Sequence, residues 1–233
     1  MLAYRFLNPK DFKKPRSFCP KCKSYIKWYD LIPLISWFLL KGNCRSCKNK
    51  ISYLYPFIEV ITAVSLYTLY KNVSIPYFIP YFIFFSALIV TIRTDLEEML
   101  ISRYMTLFLI PIAFSFNLVH YLPLTFEETL TGTIFGFLFL LFISKIFKFF
   151  TKKEGLGQGD IELLAFIGAF TGIKGCWISL LFGSILGSIF GILLITFKKS
   201  NFSTKIPFGP FLAIGAMVYV LYQYQIINLI FGF

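Results

Sequence analysis

Long apolar segments separated by short polar loops make up the chain from residue 53 to its end. A helix of about 18 or more apolar residues is long enough to cross the roughly 30 Å of hydrocarbon in a bilayer. The pattern predicts about seven transmembrane helices, at residues 53–70, 75–92, 104–121, 129–147, 161–173, 176–197 and 208–231. Because the fifth segment is short, we expect its helix to begin earlier and to bring Asp160 to the membrane boundary.

The first 52 residues have a different pattern. Their one compact apolar stretch, residues 31–40, contains Pro33 and is too short to span a bilayer. This segment is basic and carries four of the five cysteines. We therefore predict a cytosolic cysteine-rich head at 1–52 and a transmembrane bundle at 53–233. The predicted fold class is an all-α polytopic membrane protein.

Composition and charge support this division. The chain is 57% hydrophobic and 15% charged, whereas soluble domains have about a quarter of their residues charged. This composition excludes disordered, fibrous and disulfide-rich secreted proteins. The net charge of +12 is concentrated at residues 1–50, where twelve Lys and Arg face only Asp11 and Asp30. Such a distribution points to membrane lipid as a partner and not to nucleic acid.

The positions of Lys and Arg also predict an orientation, because positive charge is retained on the cytoplasmic side of a membrane. With the head inside, only Lys71 and Lys174 fall in outside loops. The nine loop residues that fall inside are Arg93, Arg103, Lys145, Lys148, Lys152, Lys153, Lys198, Lys199 and Lys205. We therefore expect the head and the loops that follow the even-numbered spans to face the cytosol.

Two CxxC motifs are the first candidate functional feature. Cys19 and Cys22 form one, Cys44 and Cys47 form the other, and twenty-one residues lie between them. Two such turns can present four thiolates to one point, as a structural zinc requires. Two disulfides or four unliganded thiols are the alternatives, and a reducing cytosol disfavours the disulfides. A zinc ion would also stabilise a head that is too small for a large core.

A pair of aspartates is the second candidate feature. Asp95 ends the second predicted span, and Asp160 follows a glycine-rich turn that contains Gly157 and Gly159. Glycines permit a peptide backbone to approach closely. Two carboxylates that share a site hold one proton between them, so one can activate water while the other polarises a scissile carbonyl. This predicts an aspartyl protease. The alternative is a membrane scaffold with solvated aspartates, whose zinc head recruits a cytosolic partner.

Taken together, these motifs resemble the bacterial type IV prepilin peptidases, a family of GxGD aspartyl proteases. The resemblance is carried by the residues from Pro15 to Cys47, by Tyr55-Pro56 with Glu59, and by the two aspartate motifs. It implies a protein of the bacterial inner membrane that removes the leader of prepilins or pseudopilins at the cytosolic membrane face. It also implies methylation of the new N-terminal residue with S-adenosylmethionine as the methyl donor.

The resemblance assigns roles to particular residues. It makes Asp95 and Asp160 the catalytic pair, and it makes the four cysteines of the head metal ligands associated with methylation. Glu59 matches an acidic residue that follows the Tyr-Pro of the family, although a structural pairing with Arg or Lys remains an open alternative. The family usually has lysine two residues after the second aspartate, where this chain has Glu162. We therefore take Glu59 and Glu162, with the two glycines before Asp160, as candidate substrate-binding or supporting residues.

The beginning of the chain departs from the family pattern. Family members normally have a further span before the head, which ends in a Tyr-Arg pair like Tyr4-Arg5, and this sequence starts at that point. Either the sequence begins late, or the enzyme works with one span fewer and an N-terminus inside the cell. The sequence alone assigns no residues to the methyl donor.

Overall fold

The computed structural model describes residues 16–152, 155–198 and 206–231. The chain divides into two compact units, Met1–Tyr67 and Thr68–Phe233. Across the described ranges the regular secondary structure is helical, and extended pairing is limited to two isolated bridges, Phe18–Tyr25 and Asn43–Lys50. The all-α prediction is therefore confirmed for this part of the chain. Three lysines from the charge count lie outside the described residues: Lys153, Lys199 and Lys205.

The first unit is built from short elements. A 3-10 turn (Trp28–Leu31) precedes α1 (Ile35–Leu39), and α2 (Leu54–Asn72) begins within this unit. Leu34, just before α1, has a left-handed φ of 61°. Its backbone N–H donates a 2.7 Å hydrogen bond to Oε2 of Glu59 on α2. The Glu59 carboxylate thereby ties the start of α1 to α2.

The second unit is a helical bundle. Its helices are α3 (Ile75–Glu98), α4 (Arg103–Thr106), α5 (Leu109–Leu118), α6 (Phe126–Thr151), α7 (Gln158–Lys198) and α8 (Gly209–Phe231). Local sequence explains where two of them start. Helix α3 has a proline at its beginning. The first N–H groups of a helix have no partner within the helix, so a residue without an N–H is favourable there. At α6, Thr125 and Glu128 form a capping box in which side chains satisfy the first free backbone N–H groups.

Helix α7 folds back on itself at Gly172, whose φ of 67° and ψ of −173° interrupt the helix. The Sγ atom of Cys176 lies 3.6 Å from the carbonyl oxygen of Leu164, twelve residues earlier. A straight helix would separate these residues by about 18 Å. The arms 158–171 and 173–198 therefore lie side by side, close to the two predicted spans. The first arm begins at Gln158, so Asp160 occupies its first turn, as expected.

Close backbone approach holds α6 against the first arm of α7. A Cβ atom on Gly132 would lie only 2.5 Å from the carbonyl oxygen of Gly168, and one on Gly136 would overlap the backbone of Leu164. Small residues at four-residue spacing allow membrane helices to pack in this way. The second unit also packs α8 against α7 and α3. Its core contains stacked rings of Phe84 and Phe170, with centroids 4.8 Å apart.

In the described part of the chain, three helical segments are long and apolar enough to cross a membrane: Ile75–Glu98, Phe126–Thr151 and Gln158–Phe197. A shorter apolar segment covers Arg103–Leu118. The helices at the first and seventh predicted spans, α2 and α8, are not among these segments, and two further features reduce the number of separate crossings. The predicted third span is divided into α4 and α5, and the predicted fifth and sixth spans form the two arms of α7. Seven crossings therefore stay a prediction.

Candidate active site and metal centre

Asp95 lies in the last turn of α3. The helix ends at Met99, which has a left-handed φ of 53° and donates its backbone N–H to the carbonyl oxygen of Asp95. The Asp95 residue is only 5% exposed. Its Oδ2 atom accepts a 3.1 Å hydrogen bond from the backbone N–H of Gly209 at the start of α8. The end of α3 and the start of α8 thus fix the orientation of this carboxylate together.

Asp160 lies in the first turn of α7 and is half-buried. Its backbone N–H donates to the carbonyl oxygen of Gly157 at 3.2 Å. A Cβ atom on Gly157 would lie 3.2 Å from Oδ2 of Asp160, so the glycine keeps the space beside the carboxylate open. The start of a helix also favours a negative charge, because its free N–H groups point toward that charge.

The structure brings the segments that carry the two aspartates together around one side chain, Ile101. Ile101 packs beside Gly159, which precedes Asp160, and beside Gly209, which binds Asp95. A Cβ on Gly159 would lie 2.9 Å from Cβ of Ile101, and a Cβ on Gly209 would lie 3.1 Å from its Cδ1. The loop after α3, the glycine-rich turn and the start of α8 therefore converge on one place. A carboxylate pair with one buried and one half-buried member, bordered by open backbone, has the features that water activation against a peptide bond requires.

Acidic residues next to the pair are bound to arginines of the same chain. Glu162 is 4% exposed, and its Oε1 lies 3.1 Å from Nε of Arg103, the first residue of α4. Its Oε2 has no hydrogen-bond partner among the described residues. Glu97 pairs with Arg93 one helical turn away, at 2.6 Å. Both glutamates are therefore already neutralised by cations on neighbouring residues.

Sequence reasoning missed three residues of this site: Gly209, Ile101 and Arg103. Gly209 stands between Phe208 and Pro210 just before an apolar helix, and such a Gly-Pro pair marks a position with special backbone geometry. This local signal does not reveal that Gly209 binds Asp95, because Asp95 lies 114 residues away along the chain. Ile101 and Arg103 carry no local signal of their own.

Glu59 has a different partner from the one that the sequence suggested. The structural alternative predicted a pairing with Arg or Lys, but in the first unit the carboxylate accepts the backbone N–H of Leu34. The left-handed backbone of Leu34 directs this N–H toward α2. Glu59 thus supports the local structure around α1, and any role toward a ligand would use its other carboxylate oxygen.

The four cysteines of the CxxC motifs form a cluster. Their Sγ atoms all lie within 4.8 Å of one another, and those of Cys19 and Cys47 are 4.0 Å apart. Zn–S bonds of about 2.3 Å place the sulfurs of a tetrahedral site about 3.8 Å apart. The cysteines are free thiols. The cluster therefore fits a zinc ion with little movement of its ligands.

The same backbone turn presents both CxxC motifs. Cys44 stands twenty-five residues after Cys19, and the features around each repeat at that distance. Lys23 and Lys48 have left-handed φ values of 58° and 56°. Their backbone N–H groups donate back to the carbonyl oxygens of Cys19 and Cys44, at 2.9 and 3.0 Å. One isolated bridge closes each turn. Two copies of one turn facing each other create the four-sulfur arrangement.

Local hydrogen bonds favour the thiolate form of two ligands. Side-chain and backbone hydrogen bonds of Ser24 lower the pKa of the Cys22 thiol to about 6. A backbone hydrogen bond from Cys47 lowers the pKa of the Cys44 thiol. Because zinc binds the deprotonated sulfur, these bonds prepare the cluster for a cation.

Comparison with known proteins gives the family of this chain. Residues 1–73 match the Bacterial Peptidase A24 N-terminal domain, and residues 82–192 match the Type IV leader peptidase family. A protein of Aeromonas salmonicida named prepilin leader peptidase/N-methyltransferase is 38% identical over 215 residues, which cover 89% of this chain and 72% of that protein. Proteins of the same name from Aeromonas hydrophila and Bacillus subtilis are 35% and 32% identical. The alignments cover 92% of this chain in both cases, with 74% and 84% of the relatives. No solved structure matches the chain. The chain therefore belongs to the type IV leader peptidase family.

Proposed function

We propose that this protein removes the leader of type IV prepilins or pseudopilins, with Asp95 and Asp160 as the catalytic pair. Family membership makes the chain a leader peptidase. The observation that carries the residue assignment is the convergence of the end of α3, which bears Asp95, and the start of α7, which bears Asp160, on the side chain of Ile101. A membrane scaffold with solvated aspartates requires no such convergence. Membership of a peptidase family also argues against a scaffold without enzymatic activity.

Cleavage would follow from one proton shared between the two carboxylates. The ionised carboxylate takes a proton from water, and the resulting hydroxide adds to the scissile carbonyl carbon. The protonated carboxyl group donates to the carbonyl oxygen as negative charge develops there. The tetrahedral intermediate then loses its C–N bond, and the carboxyl group that took the proton from water gives it to the departing amine. The N–H of Gly209 holds Asp95 in position during this step. Gly157 and Gly159 leave room for the backbone of the substrate next to Asp160.

The apolar helices and the family support a location in the bacterial inner membrane. We further propose a multi-pass topology with both aspartates at the cytosolic face. The distribution of Lys and Arg supports this orientation, since the basic residues cluster in the head and in the predicted inside loops. The prepilin would then lodge its apolar helix against the bundle while its leader reaches the aspartates from the cytosol.

The relatives' names supply a second activity, N-methylation, and we propose that this chain also has it. When bound, S-adenosylmethionine supplies a methyl group to the free amine. The bond between this methyl group and sulfur breaks as the new C–N bond forms, and the products are a thioether, the methylated amine and a proton. We propose that Cys19, Cys22, Cys44 and Cys47 hold one zinc ion, which fixes the fold of the first unit.

Single amide substitutions test the catalytic assignment. We expect Asp95→Asn and Asp160→Asn each to abolish leader cleavage, because an amide cannot carry the shared proton. The matched control is Glu127→Gln, an exposed carboxylate at the start of α6. Cleavage of a purified prepilin by each variant, reconstituted in lipid, is the measurement. Cleavage near the wild-type rate in either aspartate variant contradicts the proposed mechanism.

A further inference from the structure

Helix α1 has an apolar face that the first unit leaves exposed. Ile35, Phe38 and Leu39 stand at positions i, i+3 and i+4, so their side chains share one side of the helix. They are 57%, 68% and 77% exposed. Trp37 lies on the opposite side, where its indole N–H donates to the carbonyl oxygen of Ile51 at 3.4 Å. The side that carries Trp37 therefore holds α1 to its own unit, and the apolar face points away.

The 3-10 turn before α1 extends this apolar area. The turn lies against α1, and its segment adds three exposed side chains to those of the helix. Soluble surfaces rarely carry so large an apolar area unless it contacts a partner or a membrane. Tryptophan together with large aliphatic residues is typical of segments at a membrane–water interface. The apolar surface, as we call it here, consists of Trp28, Leu31, Ile32, Ile35, Phe38 and Leu39.

The charges around the apolar surface have one sign. Between Lys27 and Lys41, both exposed, the only charged residue of the sequence is Asp30. The Asp30 side chain is 7% exposed and accepts two hydrogen bonds of 2.7 and 2.8 Å from the guanidinium of Arg45, so its charge is balanced. In residues 16–52, eight Lys and Arg accompany this one acidic residue. Such a surface is complementary to the phosphate groups of anionic lipids.

A hydrogen bond within the first unit sets the level of α1 along α2. The backbone N–H of Leu34, just before α1, donates to Oε2 of Glu59 at 2.7 Å. Glu59 stands five residues after Leu54, the first residue of α2, which corresponds to about 7.5 Å of helix. The headgroup region on each side of a bilayer is about 5–8 Å thick. With α2 entering the membrane at its beginning, as the span predicted at 53–70 implies, α1 is held at the level of the headgroups.

We propose that the apolar surface docks on an anionic bilayer, with its aliphatic and aromatic side chains at the edge of the hydrocarbon and with Lys27 and Lys41 toward lipid phosphates. This inference rests on the proposed multi-pass topology, in which α2 spans the membrane. Docking restricts the first unit to the lipid surface, beside the membrane-embedded helix of a prepilin.

Site-specific photocrosslinking of the full-length protein in nanodiscs tests the contact. The probe is p-benzoylphenylalanine introduced at Leu39, in a bilayer of phosphatidylcholine and phosphatidylglycerol. Ile35, on the same face one turn earlier, is a second site for the probe. The matched control is Tyr25, an aromatic residue of the same unit that is 57% exposed and lies outside the apolar surface. We expect lipid adducts at Leu39 and Ile35, counted by mass spectrometry, to exceed those at Tyr25 at least about fivefold, because an interfacial side chain meets acyl chains.

The contribution of charge is tested with a separate variant. Lys27→Glu combined with Lys41→Glu reverses the two charges that border the apolar surface. We expect it to lower the lipid adducts at Leu39 at least about threefold in nanodiscs with phosphatidylglycerol and to change them little in phosphatidylcholine alone. Lys152→Glu makes the same change of charge at the end of α6 and is the matched control, which should keep the wild-type amount of adduct.

Equal lipid adducts at Leu39, Ile35 and Tyr25 would overturn the inference, as would adducts of Leu39 with a second copy of the chain, or with another part of it, in place of lipid. Adducts that do not depend on phosphatidylglycerol or on the two lysines would contradict the role of charge. Extraction with alkaline carbonate tests the membrane location separately. A protein that resists extraction and cleaves a prepilin, while Leu39 gains no lipid, refutes docking alone. A protein that carbonate extracts contradicts the proposed topology as well.

Discussion

At the scale of single residues, Gly209 has the most direct effect on the aspartates. A Cβ atom at this position would lie 2.7 Å from Oδ2 of Asp95, closer than real Cβ contacts allow. The short carboxylate side chain has to move away, and catalytic geometry is sensitive to displacements of this size. We expect Gly209→Ala to lower the cleavage rate at least about tenfold while the protein stays folded.

The matched control for Gly209→Ala is Gly187→Ala. Its new Cβ would meet the ring of Phe211 at 3.5 Å, an ordinary van der Waals distance. Leader cleavage and thermal unfolding are measured for both variants. Equal cleavage by Gly209→Ala and wild type would show that Asp95 does not need its present position.

Glu162 offers a second test at this scale. Glu162→Lys places a second cation at a buried position next to Arg103, whose own side chain is 60% exposed. We expect this change to destabilise the protein by about 1–3 kcal/mol and to slow cleavage. Combining it with Arg103→Glu exchanges the two charges and should restore most of both. Thermal unfolding and cleavage of leaders with graded positive charge are the measurements.

The same experiment separates two roles of Glu162. If it holds the loop after α3 in place, the loss is independent of the leader's charge and the exchanged pair rescues it. If it receives a basic leader, the loss grows with the leader's positive charge and the exchanged pair gives no rescue. The contact of the buried Glu162 carboxylate with Arg103 favours the first outcome.

At the scale of secondary-structure elements, the contact between α6 and the first arm of α7 positions Asp160. A side chain on Gly136 would overlap the backbone of Leu164, which cannot move without displacing the helix. We expect Gly136→Ala to lower stability by about 1–3 kcal/mol, as for other overpacked contacts. Gly191→Ala, whose Cβ would meet only the end of the Ile206 side chain at 3.3 Å, is the control. Equal unfolding temperatures would rule out close packing here.

At the scale of the whole molecule, the metal and the aspartates belong to different units. We expect one zinc ion per chain by elemental analysis, and we expect Cys19→Ser and Cys44→Ser to lose it. Their first unit should unfold, while leader cleavage persists at a reduced or unchanged rate. Zinc should also be lost as the pH falls, because protonated thiols do not bind it. Zinc-free wild-type protein, or a complete loss of cleavage in both variants, would contradict this division.

Labelling of single introduced cysteines tests the orientation of the bundle. A membrane-impermeant maleimide added to intact spheroplasts should label Lys71→Cys and leave Lys152→Cys unlabelled until the cells are opened. The native cysteines are controls, since the head is expected inside. The reverse pattern would place the aspartates on the outer face.

The sequence by itself determined the class of the protein, its helical nature and the identity of its chemical groups. Apolar segments of about 18 or more residues indicate membrane-spanning helices. A CxxC repeat or a glycine-aspartate motif can be recognised from a few neighbouring residues, without knowledge of the groups that lie near it in the fold. Asp95, Asp160 and the four cysteines are accordingly candidates that spacing and residue type indicate.

Only the tertiary structure decided how these groups are supported. The hydrogen bond from Gly209 to Asp95 joins residues 114 positions apart, and the contact of Arg103 with Glu162 joins two different helices. The fold-back of α7 at Gly172 places Cys176 against Leu164, and a cavity between the two cysteine turns brings Glu59 and Trp37 into one wall. Contacts of this kind depend on how helices and turns pack in three dimensions. Hydrophobic periodicity predicts which residues of a segment are buried, but it does not predict which distant residues they contact.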